Sequence, residues 1–85
     1  MEIEKLKELL KRANIPFNEK KIYGGTQIVY PSWSNTLIDI VYTSLAPGYE
    51  DNLLEVENLK EDCIKYLSAE ETFDLIKKTT KGETK

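Results

Sequence analysis

The sequence predicts an α+β domain: an antiparallel three- or four-stranded meander flanked by an N-terminal and a C-terminal helix, in the order α-β-β-β-(β)-α. Three observations predict it. Apolar residues recur at helical spacing over residues 2–13. From residue 17 the period changes to two, between clear turn signals. Ser68-Ala-Glu-Glu71 then opens a second helix. A chain of 85 residues has room for one core, so residues 1–81 form a single domain and residues 82–85 a frayed tail.

In the first helix Ile3, Leu6, Leu10 and Ala13 share a face that Leu9 widens, while Glu8–Arg12 and Glu4–Lys7 pair on the wet side. Asn14 tolerates the left-handed backbone of a helix end, Ile15 folds back, and Pro16 prevents continuation. Residues 17–23 read as a weak edge strand, interrupted by Glu19-Lys20-Lys21. Gly24-Gly25 is a two-residue hairpin turn, and residues 26–30 return as a strand that Pro31 stops. Residues 31–35 form a turn.

Residues 36–43 are the strongest strand, with Ile38, Ile40 and Tyr42 on one face and Leu37, Asp39, Val41 and Thr43 on the other. After a loop over residues 44–52, residues 53–59 form a fourth strand with Leu54 and Val56 inward and Glu55 and Glu57 outward. Residues 60–67 show no assignable pattern. The last helix covers residues 69–79, with Ser68 as N-cap and Ala69, Phe73 and Ile76 buried, and ends at Gly82. Leu37, Val41 and Val29 leave apolar surface on the second sheet face, which a symmetric partner would cover, so a homodimer is expected.

The chemistry of the residue set points away from catalysis. There is no histidine, which removes the usual general base, the Ser-His and Cys-His pairs and most zinc sites. Gly24-Gly25 lacks the helix and lysine of a phosphate loop. A metal-dependent nuclease would need an acid on one strand and Glu-x-Lys on the next. Asp39 fits the first position, but Glu55-Val56-Glu57 has no lysine. The single Cys63 forms no internal disulfide and reads as a small buried hydrophobe. The chain is therefore read as a binding protein with no catalytic residue, metal or cofactor. Its charged start and the absence of an apolar run near the ~20 residues of a membrane span lead to a cytoplasmic expectation and no membrane partner.

Charge narrows the partner. Residues 50–74 hold nine acids against Lys60 and Lys65, a local −7 within a net −3. Such a block repels phosphate, which argues against direct nucleic-acid binding and suits a basic protein. Seven residues are the candidate contacts: Trp33, Tyr49, Glu50 and Asp51 in two loops, and Glu55, Glu57 and Glu61 in the acidic block. Each aromatic also has a packing role open to it. Trp33 can seal a helix–sheet gap, and Tyr49 can fold over the Gly24-Gly25 hairpin. In a meander those two turns share one end and Trp33 lies at the other.

Ile15-Pro16-Phe17, Gln27-Ile28-Val29-Tyr30-Pro31, Gly48-Tyr49-Glu50-Asp51-Asn52-Leu53-Leu54-Glu55 and Tyr66-Leu67-Ser68-Ala69-Glu70-Glu71 together resemble a group of small uncharacterised phage and prophage proteins of low-GC Gram-positive bacteria. The resemblance spans nearly the whole chain and departs from that group at residues 57–65. It implies a setting in a host cytoplasm. In that setting the expected role is an inhibitor that binds a basic, nucleic-acid-binding host defence protein. A general interaction or regulatory module stands beside it, as does a nucleotide-signal sponge whose cations would be Arg12, Lys20 and Lys21.

Overall fold

Ile3, Leu6 and Leu10 share one side of the first helix, and their burial decides where that helix sits. All are at most 1% exposed in α1 (Glu2–Arg12). The computed structural model describes residues 1–45 and 49–83, with side chains through Thr79. After α1 come β1 (Asn18–Ile22), β2 (Gly25–Ser32), β3 (Asn35–Thr43), a short 3-10 turn at Tyr49–Asp51, β4 (Leu54–Asn58), β5 (Cys63–Leu67) and α2 (Ala69–Glu83). The strands form one antiparallel five-stranded sheet in the order β1-β2-β3-β4-β5. Both helices lie on the same face. Their apolar sides close over Ile28, Tyr30, Ile38, Ile40, Tyr42, Leu54 and Val56.

Local chemistry ends α1 where the sequence predicts. Asn14 has φ 56°, its N–H donates to the Lys11 carbonyl at 3.2 Å, and the Ile15 N–H reaches back to the Leu10 carbonyl at 3.0 Å. At the start of α2 the Glu71 N–H donates to Ser68 Oγ at 3.2 Å, and the Ser68 N–H donates to Glu71 Oε1 at 2.9 Å. The buried stripe of α2 differs from the expected one. Thr72, not Phe73, is fully buried beside Ala69 and Ile76, and its hydroxyl is satisfied by the Ser68 carbonyl at 2.8 Å. Phe73 is half-buried, with the Lys77 ammonium 4.6 Å from its ring. Gly82 does not end the helix, which continues to Glu83, so residues 82 and 83 belong to α2 rather than to a tail. Residues 84–85 lie outside the described residues.

Among the described residues, two polar contacts join the helices. The Ala69 N–H donates to Glu2 Oε1 at 2.9 Å, and the Lys5 ammonium donates to Glu70 Oε2 at 3.0 Å. Lys5's hydrogen bond holds the Glu70 carboxyl below its ordinary value of 4.5, and in return the Lys5 ammonium titrates above 10.5. Because Glu70's pKa is lowered on folding, its contribution is present above 4.5 and is lost as pH falls through the lowered value. Lys5's contribution is present below 10.5 and is lost as pH rises through its raised value. Both side chains are more than half exposed, so the effect is small. Urea midpoints followed from neutral pH into acid should fall less steeply for Glu70→Gln than for the wild type. Identical slopes would remove the pair from the stability account.

The sheet corrects five expectations. Ile22 pairs with Gly25, so the first hairpin turn is Tyr23-Gly24; Gly24 alone has positive φ, 77°, and Gly25 begins β2. Pro31 does not stop β2. The strand passes through a cis Tyr30–Pro31 bond to Ser32, and the register shifts there from Tyr30↔Ile38 to Pro31↔Thr36. Leu37 is thus the unmatched residue of a β-bulge, which turns it to the helix side, where it packs on the core rather than on the second face. Finally, residues 63–67 form a fifth strand. Asn58 Oδ1 accepts the N–H groups of Lys60 (3.1 Å) and Glu61 (3.3 Å), and Asp62 has φ 53°, so the chain reverses tightly onto β4. Cys63 begins this edge strand and is half-buried, not a core residue.

Candidate functional site

With both helices on one face, the other face of the sheet is open. Strand register sorts its residues into two rows that cross all five strands. One row is Lys20, Gln27, Val41, Glu55, Tyr66; the other is Asn18, Val29, Asp39, Glu57, Ile64. The character of the face changes from one edge to the other. At the β1 edge the Trp33 N–H donates to Asn18 Oδ1 at 3.0 Å, and the Lys20 ammonium lies 5.2 Å from the Trp33 ring centre. In the middle, Gln27 Nε2 donates to Asp39 Oδ1 at 2.9 Å. Beyond it the face is acidic and apolar. Asp39 stands directly opposite Glu57, Glu55 follows on the same strand, and Ile64 and Tyr66 on β5 are 54% and 41% exposed.

Like charges directly opposed across two strands destabilise a sheet. Among the described residues no Lys or Arg forms an ion pair with Asp39, Glu55 or Glu57. Nor is any group of three or more His, Cys, Asp or Glu side chains among them placed to hold a metal ion. What the arrangement offers is three uncompensated carboxylates beside an exposed aromatic and an exposed aliphatic side chain. That combination provides both charge and burial to a basic surface.

The seven sequence-predicted contacts do not converge. Glu55 and Glu57 do lie together on the open face, but half-buried rather than fully exposed, because strands flank β4 on both sides. Trp33, 46% exposed, sits at the opposite edge over Lys20 and does not seal the helix–sheet gap. Tyr49 folds back: its ring centre is 5.2 Å from that of Tyr42 at 36°, and the Tyr42 hydroxyl donates to Asn52 at 3.1 Å. Glu50 and Asp51 beside it are exposed. The Pro47-Gly48 tip of that loop lies outside the described residues. Glu61 is on the helix side, at a groove of about 590 Å³ lined by Leu37, Leu75 and Lys78 among others.

Two further expectations change. Lys20 and Lys21 are adjacent on β1 and so point to opposite faces, and Arg12 is bound to Glu8 at 3.0 Å, so no cationic pocket forms from these three. The apolar surface that suggested a covering copy is also made of other residues than expected, Ile64 and Tyr66 at the β5 edge. Leu37 has turned to the core and Val29 is only 2% exposed, which leaves Val41, half-buried. Ile64 and Tyr66 were missed as site residues. Their alternation with Cys63, Lys65 and Leu67 is visible, but in five residues whose inward set is one small, one charged and one apolar side chain it carries too little pattern to separate a strand from a loop.

Among the described residues, no helix is long and apolar enough to cross a membrane. Comparison with known protein families, with characterised proteins and with solved structures finds no match for this chain.

Proposed function

We propose that this chain is a non-catalytic binding protein that docks the acidic half of its open sheet face onto a basic protein surface, acting as an inhibitor at the nucleic-acid site of a host defence protein. The observation that carries this reading is the grouping of Asp39, Glu55 and Glu57 without cationic partners among the described residues, next to exposed Ile64 and Tyr66. The free protein bears the repulsion of Asp39 against Glu57. A basic partner would relieve it, so binding gains from both the new attraction and the lost repulsion. Carboxylates grouped on one face also suit a groove built for phosphates. The two apolar side chains supply the desolvated area that charge alone lacks. The resemblance to phage proteins supplies the host setting.

The test is the pair Glu55→Lys with Glu57→Lys. Both sites sit on the open face away from the core, so the melting temperature should not fall, and removal of the Asp39–Glu57 repulsion should raise it slightly. Capture of the partner from host lysate, read by mass spectrometry, should fall at least about tenfold, since each surface pair is worth up to about 1 kcal/mol and reversal doubles the effect. Binding should also weaken with added salt. Undiminished, salt-independent capture by the double variant would sink the reading. If nucleic acid fails to compete with the captured protein, the role is that of a general interaction module on the same face.

A further inference from the structure

The two edges of the sheet are defended differently. At β1 the exposed edge residues are Asn18, Glu19, Lys20 and Lys21; Lys7 bridges to Glu19 at 3.2 Å, and Trp33 lies over Lys20. Charged edge strands resist the addition of another strand. At β5 the only charge is Lys65, which points to the helix side, while Ile64 and Tyr66 stand exposed on the open face. Among the described residues no backbone hydrogen bond runs from residues 63–67 to any element other than β4. The outward N–H and C=O groups of β5 therefore form a free pairing edge bordered by apolar side chains.

We propose that the partner docks by adding an extended basic segment, with Lys or Arg at every second position, to the free edge of β5. This rests on the reading of the open face as a docking surface for a basic protein and specifies how that docking occurs. Main-chain pairing would supply affinity and the alternate side chains the specificity. The cross-sheet rows state what those side chains meet. One row runs outward through Glu55 and then Tyr66, the other through Glu57 and then Ile64. A sixth strand would lie about 10 Å from β4, two strand spacings away. Long basic side chains on its open-face positions would lie along Tyr66 and Ile64 and bring their charges to Glu55 and Glu57. The Tyr66 ring offers a cation a favourable surface on the way. The intervening position faces Lys65, where a third basic residue would be repelled, so it should be neutral.

A second copy of this chain fits the same edge poorly. The antiparallel register that pairs all five residues of β5 with another β5 sets Lys65 against Lys65. It also leaves the Glu55–Glu57 pair of each copy facing the Ile64 and Tyr66 of the other, with no base to meet it.

The probe is a capped heptapeptide of alternating valine and lysine, titrated into isotope-labelled protein and followed by amide NMR. The expected result is slowed hydrogen exchange at alternate amides within residues 63–67 and contacts between peptide and β5 backbone protons. Affinity should fall about tenfold for Glu55→Gln with Glu57→Gln, and by more when the peptide lysines become glutamates, which adds repulsion to the lost attraction. Peptide binding centred on Gln27, Asp39 and Val41 without protection of β5 amides would overturn strand addition while leaving the open-face reading intact. No binding at millimolar peptide would overturn it as well, and the Glu55→Lys, Glu57→Lys capture experiment then decides the open-face reading separately. Protection of β5 amides that rises with protein concentration, without peptide, would assign the edge to a second copy instead.

Discussion

Ile40→Ala lowers the stability of this domain by about 2–5 kcal/mol, the range for deleting a buried aliphatic side chain without full collapse of the site. Ile40 is fully buried at the middle of the sheet, paired with Ile28 on β2 and Val56 on β4, both on the helix-covered face. Three strands and two helices meet around it, so no single element can move inward to fill the space. A domain of this size has about 5–15 kcal/mol to lose, and each kcal/mol lowers the melting temperature by about 4–8 °C. A shift of about 10 °C or more is therefore expected. Leu10→Ala should behave alike, since Leu10 is fully buried on α1 and lies in the same cluster. The neighbouring residue gives the control. Val41 is one position along β3 but on the open face and half-buried, so Val41→Ala should cost about 1 kcal/mol, little more than the transfer of two methyl groups from partial exposure. Equal costs at positions 40 and 41 would show that the face assignment is wrong.

Gly25→Ala should be nearly as damaging, for a reason that has nothing to do with burial of apolar area. Gly25 opens β2 opposite Thr43, and an added Cβ would overlap the Tyr42 carbonyl oxygen and lie 2.8 Å from the Thr43 Cα. These are backbone atoms of the adjacent strand and have no rotamer to turn to. The start of β2 would have to leave β3, and the turn contacts beside it would go too. Those contacts are the Thr43 hydroxyl to the Tyr23 carbonyl at 2.9 Å and the Ser44 N–H to the Gly24 carbonyl at 3.2 Å. The expected loss is at least the about 1–3 kcal/mol typical of overpacking. Gly24→Ala is costly through a different term: φ of 77° is a left-handed backbone, worth about 1–2 kcal/mol against a Cβ, whereas its close neighbours Ser44 Oγ and Thr43 Oγ1 are side-chain atoms that can move. Urea denaturation of the two variants measures both. An unchanged midpoint for Gly25→Ala would mean that β2 does not approach β3 at this point.

Short-range signals in the sequence were sufficient for the end of α1 and the start of α2. The end of α1 rests on hydrogen bonds that span Leu10 to Ile15, and the start of α2 on the reciprocal Ser68–Glu71 pair, so every partner lies within a few residues. The inward face of β3 was legible for the same kind of reason: Ile38, Ile40 and Tyr42 alternate over a run long enough to show its period. β5 was not legible, because what makes it a strand is its pairing with β4, while its own two apolar open-face residues remain exposed. The continuation of β2 through Pro31 and the inward turn of Leu37 are likewise one event, a bulge between two strands, and neither strand alone records it.

The candidate site divides along the same line. Composition showed that residues 50–74 are acidic, but not which acids act together. Glu57 and Glu61 are four residues apart, yet the alternation of β4 and the reversal at Asn58 send them to opposite sides of the sheet. Asp39, eighteen positions before Glu57, becomes its direct neighbour. Local propensity and period determined α1, the start of α2 and the inward face of β3. The open face, with its carboxylates and the bare edge beside them, was decided by strand register, a relation between residues distant in the chain that no short window of sequence contains.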